Sequence, residues 1–257
     1  MFKPQMALLI TALACSSLLA APPVRKFDDP GAPPFKLLKE GEKPPLDVND
    51  NFVVGPKYVP APERKKVDGV PQGKVEQFVI DSKETKLFNP GIARNEFGKV
   101  DPNNPKTLVV ETHNIDYKRK ITVYIPSQYE AGSESPFQVI HDGPGGRPNA
   151  ELLHIFDNLI AQKRIPPIIV IWIANGRGDA QGHERGKEYD NMNGDYAEVI
   201  ETEVLPRVEK NTNVRLTKDP DGRAAMGNSS GGSAALIVGE FMNLVRDLIG
   251  SDNPTDR

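Results

Sequence analysis

Five residues near the end of the sequence limit its fold more than any other feature. Gly227-Asn228-Ser229-Ser230-Gly231 follows a short buried-type run, Arg223–Met226, and leads into small residues, Gly231 to Ala235, that open a helical segment. A chain that turns sharply from strand to helix needs glycine on both sides of the bend, because a Cβ there would block it. The residue at the tip is then displayed, with its side chain near the positive end of the helix. In that setting the G-x-S-x-G pattern predicts that Ser229 is a nucleophile. The plain alternative is an ordinary tight turn whose small residues only pack the first helical turn; the strand before and the helix after favour the display of the serine.

Upstream, the patterning alternates between two periods. Val75–Ile80, Thr107–His113 and Lys120–Ile125 are short β-rich runs separated by turn chemistry such as Asp101-Pro102-Asn103-Asn104-Pro105, which predicts an antiparallel opening. Phe137–His141 is an apolar run ending in Asp142-Gly143-Pro144-Gly145-Gly146, after which Leu152, Leu153, Phe156, Leu159 and Ile160 share one helical face. Ile168–Ala174 is almost wholly apolar and β-branched, as a strand covered on both faces requires, and Asp195–Glu209 is again amphipathic at helical spacing. The series predicts an α/β class with a mainly parallel sheet and antiparallel N-terminal strands.

Charge and cysteine content remove several functions. Thirty-two Lys and Arg against 35 Asp and Glu leave a net charge of -3 without long single-sign blocks, so no basic footprint points to nucleic acid. The single cysteine is Cys15, which leaves the rest of the chain without a disulfide or a cysteine zinc site. Residues 1–21 read as a secretory signal peptide: Lys3, an apolar stretch from Met6 to Ala14, then small residues to Ala21. A periplasmic or secreted location is therefore expected, with no membrane span, since the apolar run is too short for one. Ala12-Leu13-Ala14-Cys15 resembles a lipobox, which makes a lipid anchor at Cys15 the alternative to cleavage near Ala20 or Ala21. Residues 22–68 are read as a Pro-rich extended linker, and residues 69–257 as the folded domain.

A serine hydroxyl needs a base to lose its proton and donors to hold the oxyanion that forms on the carbonyl. The expected donors are the backbone N–H groups of Ser230, the residue after the nucleophile, and of Gly143 in the glycine loop. The base is harder to place. All four histidines, His113, His141, His154 and His183, precede Ser229, whereas this kind of turn orders its triad serine, acid, histidine. His141 ends the strand expected beside the nucleophile strand, so it is the one candidate for a surrogate base, with pinning of the glycine loop as its other reading. His183-Glu184 is followed by Lys187 where a zinc-binding helix would carry a second histidine. No metal or cofactor is implied.

Several separate blocks, Asp142-Gly143-Pro144-Gly145, Glu188-Tyr189-Asp190, Glu203-Val204-Leu205-Pro206, Arg215-Leu216-Thr217 and Arg223 to Gly232, occur in an order that resembles the enterochelin-esterase-like branch of the Putative esterase family, which includes feruloyl esterases and S-formylglutathione hydrolases. The resemblance runs from about Gly69 to about Ile237. It implies an α/β-hydrolase fold and a carboxylic ester hydrolase whose nucleophile falls on Ser229. Members of that family continue through further strands carrying the acid and the histidine, so this sequence is expected to be shortened, lacking the C-terminal strands, and weak or inactive as an esterase. A non-catalytic binding protein or a frameshifted remnant are the other readings. The partner is a small-molecule ester; its acyl and alcohol groups and the oligomeric state stay open.

Overall fold

The computed structural model describes residues 36–39, 41–43, 45, 52–53, 59–96, 98–142, 148–179 and 181–249. Residues 1–21, with Cys15, lie outside them. The chain divides into two units, Met1–Val59 and Pro60–Arg257. In the first, Lys36–Leu37 and Phe52–Val53 pair in parallel inside the stretch read as an extended linker. The second begins nine residues before Gly69, because the turn at Pro62–Arg64 is tied down: Asn158 Nδ2 donates to the carbonyls of Glu63 (2.8 Å) and Lys65 (2.9 Å).

The second unit is built on five strands: β1 (Lys74–Asp81), β2 (Lys118–Ile125), β3 (Phe137–His141), β4 (Ile169–Ile173) and β5 (Arg223–Met226). Their order in the sheet is β1-β2-β4-β3-β5. β2 is antiparallel to both β1 and β4, while β4, β3 and β5 run parallel. This is the expected α/β class, a parallel core entered through antiparallel strands, in the strand order of an α/β-hydrolase-type sheet.

Side-chain alternation explains how the layers form. All five residues of β4 are buried. Val170 and Trp172 face one side, where with Tyr124 and Ile140 they meet Leu152, Leu153 and Phe156 of α1 (Ala150–Ala161). Ile169, Ile171 and Ile173 face the other, a larger cluster with Val123, Val139, Tyr189, Tyr196, Val208 and Ala234. Those last four lie on α2 (Glu184–Tyr189), α3 (Asp195–Val199), α4 (Leu205–Thr212) and α5 (Ser230–Ile249). Period-two burial on both faces makes β4 the centre of a three-layer core. Among the described residues no helix is long and apolar enough to cross a membrane.

Two expectations change. The single strand expected over Thr107–His113 is two: Asn104–Val109 pairs with Lys99–Asp101, and Thr112–Ile115 pairs with Gly91–Arg94. Leu108 and Val109 stay exposed, so no common core face holds the run in one register. The helix expected over Asp195–Glu209 is α3 and α4 joined by a π-helical turn, Ile200–Val204. Pro206 follows that turn and has no N–H to return to it, which favours the wider turn there.

Candidate active site

The parallel strands deliver their C-terminal ends to one edge, where a ligand site is expected in an open α/β sheet. The last paired residues of β3 and β5 are Ile140 and Met226; one residue later β3 reaches His141, and three residues after Met226 the chain reaches Ser229. Ser229 is exposed and has φ +53°, a backbone region that costs a non-glycine residue about 1–2 kcal/mol. The strain persists because the flanks leave no other path. A Cβ on Gly227 would lie 2.0 Å from the Gly231 carbonyl oxygen, and one on Gly231 would lie 2.7 Å from Asp142 Cβ. Both glycines of the motif are thus required by close approach, Gly227 to the main chain of Gly231 and Gly231 to the Cβ of Asp142. The Gly232 N–H donates to the Ser229 carbonyl at 2.9 Å, which starts α5 directly behind the serine. Ser230 is the first residue of that helix, so its N–H has no partner within the helix.

Beside the turn stands a charged group that sequence reasoning missed. Asp142 also has positive φ, +56°, and its carboxylate takes Arg185 Nε at 3.0 Å and Nη2 at 2.5 Å, with Asn175 Nδ2 at 3.3 Å. Arg185 Nη1 donates to Ser230 Oγ at 3.3 Å and to the Asp179 carbonyl. The bond from Arg185 holds the Asp142 carboxyl below the usual carboxylate range, and Asp142 in turn raises the Arg185 guanidinium. Arg185 sits on a six-residue helix too short and polar to show a periodic pattern. Of its neighbours, only the Glu188-Tyr189-Asp190 block carried a sequence signal.

His141 is 2% exposed. Its Nδ1 shares a 3.2 Å hydrogen bond with the Tyr196 hydroxyl, its ring stands edge-on to Tyr189 and Tyr196, and Nε2 has no partner among the described residues. Tyr196 bonds Tyr189, whose hydroxyl accepts the Asp142 N–H at 3.3 Å. Burial, followed by the charge of Arg119, lowers His141 to about 4, so the imidazole is neutral at pH 7. No hydrogen bond joins it to Ser229 among the described residues. Gly143 lies outside the described residues, as does the rest of 143–147. The structure therefore brings together Ser229, Ser230 and the start of the glycine loop at Asp142, with the ring of His141 committed to the tyrosines. His113 bonds Asn95 and His154 meets the Arg64 carbonyl, both elsewhere. Among the described residues no cluster could hold a metal. A cavity of about 430 Å³ lined by Lys74, Ile125, Tyr129 and Asn213 opens at the opposite end of the sheet, where β1 begins and β2 ends.

Beneath the site, Glu184 is wholly buried. Its Oε2 accepts the Ile92 N–H at 2.8 Å, while Oε1 has no partner among the described residues. Burial, with the charge of Glu188, pushes this carboxyl up from 4.5 to about 7. The folded chain thus keeps a proton that the unfolded chain releases, and this group makes stability fall as pH rises from about 4.5 to about 7. Glu184→Gln keeps the acceptor and removes the charge. It is expected to add about 2 kcal/mol at pH 8 and nothing at pH 4 in urea unfolding; an equal change at both would contradict this.

Residues 112–241, just over half of the chain, match the family described as Putative esterase. No curated protein matches the chain. Among solved structures, it is similar to a ferulic acid esterase (21% identity over 64% of this chain and 53% of that one, TM-score 0.42). It is also similar to the enterobactin esterase of Shigella flexneri (16%, 74% and 38%, TM-score 0.46) and to a ferulic acid esterase of Anaeromyces mucronatus (17%, 67% and 55%, TM-score 0.43). The chain spans from 38% to 55% of the length of these three.

Proposed function

The chain belongs to the Putative esterase family, and on that premise we propose that it carries the nucleophile of a serine carboxylic ester hydrolase. Ser229 Oγ bonds to the ester carbonyl carbon, the carbonyl electrons move to oxygen, and the Ser230 N–H receives that oxyanion. Gly143, outside the described residues, is proposed as the second donor. The C–O bond then breaks, the alcohol leaves with a proton, and water cleaves the acyl-serine to the carboxylic acid. The observation that carries this reading is the exposed Ser229 at φ +53° between two glycines that tolerate no Cβ.

Among the described residues no histidine is bonded to Ser229. An imidazole on Oγ is the group that takes the serine proton in such sites, and loss of that base costs several orders of magnitude. We propose that His141 holds the strand end through Tyr196 and Tyr189 and does not act as that base. The rate above buffer on p-nitrophenyl butyrate is expected to vanish in Ser229→Ala; an unchanged rate would overturn the assignment. Export through residues 1–21 is proposed on their composition. N-terminal sequencing of the chain recovered from the cell envelope should begin near Pro22 or at a lipidated Cys15, and an intact Met1 would contradict export.

A further inference from the structure

We propose that Arg185 is a positioning residue for the Ser229 site: its guanidinium ties Ser230, behind the nucleophile, to Asp142 at the end of the neighbouring strand. The inference rests on Ser229 being the nucleophile. It starts from the reach of one planar group. Nε and Nη2 take both oxygens of Asp142, and the remaining arm, Nη1, reaches Ser230 Oγ at 3.3 Å. A guanidinium presents its donors in a fixed fork, so satisfying a bidentate carboxylate on one edge sets the direction of the other. Arg185 is itself held: its side chain is 12% exposed, it lies over the Tyr189 ring at 5.5 Å, and it donates to the Asp179 carbonyl. Of the two residues it bridges, Asp142 has φ +56° and Ser230 directly follows Ser229 at φ +53°, and a Cβ on Gly231 would lie 2.7 Å from Asp142 Cβ, so the two segments are in close approach. Among the described residues Arg185 makes no hydrogen bond to Ser229. It acts by holding the Ser230 N–H, the proposed oxyanion donor, in a fixed place relative to Ser229 Oγ.

The test uses the full chain and diethyl p-nitrophenyl phosphate. Ser229 Oγ forms the new bond to phosphorus, p-nitrophenolate leaves, and the serine proton goes to water. Inactivation is followed by intact mass at a temperature well below each variant's melting point, so a loss of stability alone does not move the rate constant. Arg185→Gln is expected to lower the maximal rate of labelling about 10- to 100-fold with the half-saturating concentration within about twofold, the signature of a displaced reacting geometry. Arg185→Lys should not rescue it, because one ammonium cannot span both partners. Asp142→Asn should give a smaller effect once Arg185 is already glutamine. If Arg185→Gln does not fold, Ser230→Ala decides: a slower maximal rate supports the bridge, and an unchanged one overturns it. Wild-type chain that takes no label at Ser229 overturns the nucleophile reading and this role with it. A labelled wild type with an equally fast Arg185→Gln variant overturns the positioning role alone.

Discussion

Replacing Glu188 with glutamine is expected to cost about 3–5 kcal/mol of folding stability, the range for breaking a buried ion pair from one side. Arg119 and Glu188 are 2% and 1% exposed. Nη1 donates to Oε2 at 2.9 Å and Nη2 to Oε1 at 2.5 Å, while Nη1 also meets the Ala174 carbonyl and the Gly176 N–H donates to both carboxylate oxygens. Glu188→Gln strands the guanidinium charge in the core, and Arg119→Met strands the carboxylate. The double variant with methionine at both positions leaves no ion behind, so it should lose less than either single change. Against a total of about 5–15 kcal/mol for a domain, either single loss is large. Urea midpoints at constant m-value read the effect; single variants within about 1 kcal/mol of wild type would contradict it. The pair also matters to the site, since it locks α2 to β2 and α2 carries Arg185 and Tyr189.

The second large effect lies in the turn itself. Gly227→Ala places a methyl 2.0 Å from the Gly231 carbonyl oxygen and 2.3 Å from its carbon, both main-chain atoms of the first turn of α5. Neither can swing aside as a side chain would, so the strand or the helix must shift, at about 3 kcal/mol or more. Gly232→Ala is the matched comparison: its Cβ would meet the Gly227 carbonyl oxygen at 3.3 Å, and alanine gains about 1 kcal/mol of helix propensity over glycine. That variant should stay within about 1 kcal/mol of wild type. Equal destabilisation by the two substitutions, in unfolding by guanidinium, would mean that the bend is not clamped at Gly227.

Much of the framework is readable from local pattern. Phe137–His141 and Arg223–Met226 have the bounds that the apolar runs predict, and the glycines around Ser229 predict the sharp turn, at which the structure has φ +53°. What is not readable depends on pairing between distant residues. Glu184, Arg185 and Glu188 lie in a short charged segment with no apolar periodicity, yet Glu184 and Glu188 are buried: Glu184 Oε2 accepts from Ile92, and the Glu188 carboxylate from Arg119 and Gly176. A charge that finds its partner across the sheet leaves no periodic trace. The Thr107–His113 run misleads for the opposite reason: its β-branched composition is real, but its two halves pair with different strands. The sharp turn at Ser229 is legible because a backbone constraint, unlike an ion pair, is written in adjacent residues.

The nucleophile is identified by treating the full chain with diethyl p-nitrophenyl phosphate and locating the diethylphosphoryl group by fragmenting the peptide that contains Ser229, Ser230 and Ser233. The group is expected on Ser229 and on neither neighbouring serine. A label on another residue, or a chain that stays unmodified, would contradict it.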